Sequence, residues 1–287
     1  MQPRFEQFIR ERQHLHNVTP STVEWYRHSL KWLDSESPSQ QELKDAVIRM
    51  SESGRKPTGC NCAIRAINTY LHWNSGSERK CGPGCQHSRI QKLKEPQLVL
   101  PTYTAPQIRQ LVTWKPKGKY QQRLHMLILF LLDTGCRITE ALTLRVCDLD
   151  MSNMLVTLDG KGRKQRVVPF SFELRKTLVR FIKDFGRKMD ALLFANRSQT
   201  RLAHRNVLRN VKDLCKRLGF KAPARTLHAF RHTFAIHYLR KGGSVFHLQK
   251  VLGHSTLEMT RRYANLMTED LQAVHERVSL LSRMPSV

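Results

Sequence analysis

Residues 154–169 read MLVTLDGKGRKQRVVP. Met154–Leu158 and Gln165–Pro169 are short, partly alternating β-prone runs, and the polar turn Asp159-Gly160-Lys161-Gly162 separates them. That pattern reads as an antiparallel β-hairpin. After it the chain reads as helix, and before it as a succession of helices. The expected fold class is therefore mainly α, with a small antiparallel β-hairpin or sheet in the second of two domains.

Moving from the hairpin toward the N-terminus, an apolar helix around Leu124–Leu132 is stopped by Gly135, and a capped helix opens at Thr104. Upstream, Lys94-Glu95-Pro96 through Leu100-Pro101 reads as an extended linker, because a residue before proline is pushed out of the helical region. The Gly-, Ser- and Pro-rich stretch Asn74–Gln86 reads as loop. These signals place a boundary near residue 100, with a helical domain over 1–97 and a second domain over 104–287. A length of 287 residues suits two domains of roughly 100–200 residues each.

Within the first domain, Thr19-Pro20 and a capping box Ser21-x-x-Glu24 mark a helix whose apolar stripe is Val23, Tyr26, Leu30 and Leu33. Ser37-Pro38 repeats the start signal before Leu43, Val47 and Met50, and Ile64, Ile67 and Leu71 continue the spacing in a later helix. No internal repeat, low-complexity tract or coiled-coil heptad is visible.

The chain carries 49 Lys plus Arg against 23 Asp plus Glu, a formal net charge of +26. Such an excess favours a polyanionic partner, of which nucleic acid is the commonest. An anionic membrane surface would call for a basic amphipathic helix or a lipidation signal, and neither is visible. The longest apolar run, Met126–Leu132, is far short of the about 20 residues needed to cross a bilayer. The N-terminal MQPRFEQFIR has no signal-peptide core. The expectation is a soluble cytoplasmic protein, associated with the nucleoid, with no membrane partner.

Seven cysteines, an odd number in a chain with no export signal, argue for reduced thiols. Cys60, Cys62, Cys81 and Cys85, with His72 and His87 nearby, are the one candidate zinc set. Cys81-x-x-x-Cys85 has a usable ligand spacing, whereas Cys60-x-Cys62 lies in a helical stretch where residues two apart do not face each other. The reading favours ordinary thiols, and no cofactor is expected.

Metal-free cleavage of a phosphodiester needs a nucleophile, cations on the non-bridging oxygens, a proton acceptor and a donor for the leaving oxygen. The second domain offers these in four segments: TGCRITEALTLR (Thr134–Arg145), LDGKGRKQRVVP (Leu158–Pro169), LHAFRHTFAIHYL (Leu227–Leu239) and LGHSTLEMTRRYANL (Leu252–Leu266). Arginine suits a phosphate clamp because its planar fork gives bidentate hydrogen bonds and its charge does not titrate away. His228 and Arg231, three apart on a helix, share a face. No cluster of Asp and Glu gathers among these arginines, which disfavours a two-metal nuclease.

In these segments and their order the sequence resembles the tyrosine recombinases, the phage-integrase and Xer-like family, over roughly residues 104–287. The N-terminal region looks more loosely like that family's helical core-binding, DNA-binding domain. The resemblance implies that Arg137, in T-G-x-R-x-x-E, is the first catalytic arginine, supported by Glu140. It makes His228 and Arg231 the H-x-x-R pair, and His254, in L-G-H-S, the ligand of the scissile phosphate. Tyr263 becomes the nucleophile and Lys161 the donor to the departing 5′ oxygen, with Lys164 the alternative holder of that role. His232 and His237 match no catalytic position and read as structural.

The implied activity is metal- and ATP-independent site-specific recombination of double-stranded DNA through a 3′-phosphotyrosine and a Holliday junction, by a homotetramer of two protomer pairs. A type IB topoisomerase shares the chemistry, and a non-catalytic DNA-binding protein could share the fold. The helically spaced tail Leu266, Leu271, Val274, Val278 and Leu281 is expected to dock into a neighbouring protomer, as in the family.

Overall fold

The computed structural model describes residues 2–76, 89–95, 100–160, 165–264 and 275. The chain divides into two compact units, Met1–Leu98 and Val99–Val287. Lys161, Lys164, Cys81, Cys85, His87 and the apolar tail from Leu266 onward lie outside the described residues.

In the first unit four helices follow one another: α1 (Pro3–His14), α2 (Pro20–Leu30), α3 (Gln40–Glu52) and α4 (Pro57–Asn74). Their apolar faces meet in an aromatic core, where Phe8 packs edge-on against Tyr26 and Tyr70 with ring centroids 4.9 and 5.5 Å apart. Two helix starts differ from the sequence expectation. At α2, Pro20 takes the first turn and Thr19 the cap position, so Ser21 and Glu24 fall inside the helix and form no capping box. At α3 the cap is Ser39: its hydroxyl accepts from the Glu42 N–H at 3.2 Å while the Glu42 carboxylate accepts from the Ser39 N–H at 2.7 Å.

Cys60 and Cys62 both lie on α4 but face differently. Cys60 is buried in the core, its Sγ toward the Arg55 carbonyl, and Cys62 is half-buried. Among the described residues no group of three or more His, Cys, Asp or Glu is placed to hold a metal ion.

The second unit opens with α5 (Ala105–Thr113), which Thr104 and Gln107 close with a capping box, and α6 (Gly118–Thr134), which Gly135 ends in the left-handed conformation at φ 61°. The short α7 (Ile138–Thr143) leads to three antiparallel strands, β1 (Leu149–Asp150), β2 (Leu155–Asp159) and β3 (Gln165–Pro169), in the order β1-β2-β3. The predicted hairpin is thus one edge of a three-stranded sheet. Its two-residue first strand is too short to leave an alternation in the sequence. Register pairs Val156 with Val168 and Leu158 with Arg166. Val156, Leu158 and Val168 are buried and Val167 is exposed, so Arg166 sits on the inward face.

Five helices complete the unit: α8 (Phe172–Asp184), α9 (His204–Arg217), α10 (Thr226–Arg240), α11 (Val245–Leu252) and α12 (Leu257–Ala264). α10 packs against α6, α9, α11 and α12 and buries residues around its circumference, Leu227, Phe230, Arg231, Ala235 and Leu239 among them. Tyr103 locks it from outside: its ring stacks on Phe230 at 4.6 Å and its N–H donates to Thr233 Oγ1 at 2.9 Å. No described helix is long and apolar enough to cross a membrane.

Candidate active site

Gly135 is required where it stands, because a Cβ there would overlap the Phe234 ring and its φ is left-handed. The turn it makes delivers Arg137 to the start of α7. There Arg137 donates through its backbone N–H to Glu140 Oε2 at 2.8 Å and through Nη1 to Oε1 at 2.9 Å. Arg166 reaches the same carboxylate from β3 as a fork, Nη1 to Oε1 and Nη2 to Oε2, both at 2.8 Å, and its Nε donates to the Val251 carbonyl at 2.8 Å.

An arginine on the inward face of a sheet is tolerable only when its charge is paired and its donors are used. Burial pushes Glu140 up, but hydrogen bonds from Arg166 and Arg137 outweigh it and hold the carboxyl below its ordinary range. The adjacent Cys136 is no rival nucleophile, since burial pushes its thiol up to about 12.

α10 presents three residues in one turn and the next. Arg231 is 5% exposed, with Nη1 donating to the Gly135 carbonyl at 3.0 Å and Nη2 to the Leu252 carbonyl at 2.5 Å. These acceptors close α6 and end α11, the negative ends of two helices. Burial and the nearby Arg137 lower the Arg231 pKa to about 10, so it keeps its charge at neutral pH. A guanidinium has five N–H donors, more than these two carbonyls use.

His228 is exposed at the mouth of a cavity of about 1060 Å³ whose lining includes His204, Lys212, Lys216, Lys221 and Arg225. Partial desolvation, then His204 and Arg225, lower its pKa. His237, on the same helix, is exposed.

The third side comes from the turn between α11 and α12. Gly253 is left-handed at φ 64°, and a Cβ on it would lie 2.7 Å from Arg166 Cδ. His254 follows, its Nδ1 2.8 Å from the hydroxyl of the buried Thr260. Its ring lies parallel to that of Tyr263, with 5° between planes and 6.2 Å between centroids. Tyr263 is 4% exposed, and its hydroxyl lies 2.9 Å from His232 Nδ1. Burial first, then Arg231, pushes His254 down to about 4, and burial with His228 and Arg231 does the same to His232. Both rings are therefore uncharged at neutral pH.

Arg137, Glu140, His228, Arg231, His254 and Tyr263 are thus drawn from three separated segments into one part of the second unit. Two residues join them that the sequence reading passed over. Arg166 belongs to the charge network, and the inward phase it shares with Val168 was the available signal. His232, read as structural, contacts the Tyr263 hydroxyl across 31 residues, which no local pattern reveals. A buried phenol among arginines and neutral imidazoles can bind an anionic phosphate and attack it.

This combination of a helical unit, an inserted three-stranded sheet and a tyrosine among arginines defines a tyrosine recombinase. The phage integrase family model matches residues 102–270, more than half of the chain, and the chain belongs to that family. It is 25% identical over 275 residues to the tyrosine recombinase XerA of Pyrococcus furiosus, covering 94% of this chain and 92% of that one. It is 33% identical over 162 residues to the tyrosine recombinase XerC of Anoxybacillus flavithermus, about half of each chain (54% and 53%). Among solved structures, the Tn1549 transposon integrase in complex with transposon right-end DNA superposes with a TM-score of 0.76 at 21% identity, covering 96% of this chain and 99% of that one. The XerH site-specific recombinase in its post-cleavage complex gives 0.72 at 18% identity, covering 97% and 84%.

Proposed function

We propose that this recombinase breaks DNA by attack of Tyr263 on a phosphodiester of a double-stranded recombination site. The products are a 3′-phosphotyrosine and a 5′ hydroxyl, and the hydroxyl of another strand then attacks the phosphotyrosine and passes through a Holliday junction. Arg137 and Arg231 carry the phosphate charge, with His228 and His254 as further phosphate ligands and Glu140 supporting Arg137. Lys161, which lies in sequence between β2 and β3, protonates the leaving oxygen. The observation that carries this reading is the buried Tyr263 hydroxyl in a cluster with Arg231 and two neutral histidines.

Because the phosphotyrosine conserves the energy of the broken bond, no metal or ATP is needed. The basic cavity beside His228 and the helical unit over residues 1–97 supply sequence-independent phosphate contacts, which make binding strongly salt-dependent. The working assembly is a homotetramer of two protomer pairs on nucleoid DNA, with the apolar tail after Leu266 docked into a neighbouring protomer. Truncation after Leu266 should leave DNA binding and abolish tetramer formation on recombination sites; unchanged assembly would refute the tail's role.

The test uses duplexes selected from a random library by binding, then nicked near the cleavage position to trap the product. Wild-type protein in EDTA without ATP should form a covalent complex that survives denaturant, and Tyr263→Phe should form none. Covalent product from Tyr263→Phe, or none from wild type, would refute the assignment.

A further inference from the structure

We propose that His232 is the acceptor of the Tyr263 phenol proton, a catalytic residue beyond the arginines, lysine and histidines assigned above; this rests on Tyr263 being the nucleophile. The geometry is direct. Nδ1 of His232 lies 2.9 Å from the Tyr263 hydroxyl, with the ring planes at 47°. With the ring proton on Nε2, Nδ1 presents a lone pair and the phenol donates to it.

A phenol with an ordinary pKa of about 10 keeps its proton at neutral pH, and a protonated oxygen is a poor nucleophile. Tyr263 is buried, so bulk water is not at hand to take that proton. The neighbouring His254 already has its Nδ1 against Thr260. His228, one helical turn before His232, is exposed toward the basic cavity.

The O–H bond of Tyr263 breaks and its proton passes to His232 Nδ1; the phenolic oxygen bonds to phosphorus; the bond from phosphorus to the 5′ oxygen breaks, and that oxygen takes a proton from Lys161. In rejoining, the attacking 5′ hydroxyl gives up its proton to the same lysine, and His232 returns its proton to the departing phenol.

The groups that face His232 among the described residues are His228, Arg231 and Arg225 from its own helix and helix start, Tyr263 from α12, and His254 from the turn before it. In the resting protein burial first, then the positive field of His228, Arg231 and Arg225, keeps the ring neutral and ready to accept. A bound phosphodiester brings a negative charge against Arg231 and offsets that field, so His232 becomes a better base when substrate is in place.

The experiment uses the full chain and two substrates, the nicked duplex above and the same duplex with sulfur replacing the bridging 5′ oxygen at the scissile phosphate. His232→Asn keeps an acceptor near the Nδ1 position but cannot take up a proton. It should bind the duplex as wild type does and form the covalent complex about 10²- to 10⁴-fold more slowly, the range for loss of one acid–base group. The defect should persist on the sulfur substrate, whose leaving group needs no proton, whereas Lys161→Ala should be relieved there.

Cleavage by His232→Asn at the wild-type rate, relief of its defect by sulfur, or loss of DNA binding in parallel would each overturn the proposal, the last by marking a purely structural role. A wild-type protein that forms no covalent complex would instead refute the nucleophile assignment itself, and this inference with it.

Discussion

Glu140 receives four hydrogen bonds from Arg137 and Arg166 at 2.8–2.9 Å, whereas the Tyr263 hydroxyl meets the cluster through a 2.9 Å hydrogen bond to His232 from an eight-residue helix. The arginine side is framed by a buried carboxylate and by the carbonyls that close two helices. The tyrosine side is held by uncharged rings. The difference follows from what each must do. Guanidiniums that stabilise a phosphate have to stay in place before, during and after the reaction, and fixed dipoles and charges do that without reorganising. A phenol that becomes a phosphate ester must exchange its proton for phosphorus, so its partner has to let go.

Glu140→Gln keeps the volume but leaves two guanidiniums facing each other with Arg166 only 10% exposed. Removing one partner of a buried pair costs about 3–5 kcal/mol, so the denaturant midpoint should fall accordingly and the covalent complex should be lost with it. A stable, active variant would mean that the carboxylate does not hold the arginine side. Arg166→Lys is the next step down. It retains charge but not the two-pronged grip on Glu140 or the Nε bond to Val251, and should cost about 1–3 kcal/mol by the same measurement.

Gly253→Ala sharpens the picture further. The left-handed backbone costs an alanine about 1 kcal/mol, and its Cβ would push on Arg166. If that push is what matters, the double variant with Arg166→Lys should lose less than the sum of the single losses, as residues in contact do in a mutant cycle. Strict additivity would place the whole cost in the backbone.

What the sequence made legible on each side follows from the reach of the signal. Gly135 ending a helix and Thr104 beginning one are local patterns that the structure has, and it carries His228 and Arg231 on one helix. The hairpin was legible because its turn is polar and its arms alternate; β1, with two residues, could not alternate. Arg166 follows the alternation, but the carboxylate that makes an inward arginine tolerable lies 26 residues away. His232 neighbours Arg231 in sequence, yet its partner Tyr263 is brought back by the packing of α12 on α10. At α2 and α3 the start signals were present, and the choice of capping residue was decided by where proline and a box-forming Glu fell.

The two sides should also separate by pH. His232 and His254 have folded values of about 4 against an ordinary 6.5, so unfolding lets them take up protons. Their contribution is fully present above about pH 6.5 and is lost as pH falls toward 4. Glu140, held below its ordinary 4.5, contributes above that value and loses its contribution only as pH falls below it. The denaturant midpoint should therefore decline in two stages, first from the histidines and then from the carboxylate. His254→Asn, which removes one titrating ring from the tyrosine side, should shrink the first stage and leave the second. A first stage of unchanged size in both His254→Asn and His232→Asn would show that protons enter elsewhere, because these two rings, half-buried near Arg231, are the histidines most strongly pushed toward neutrality among the described residues.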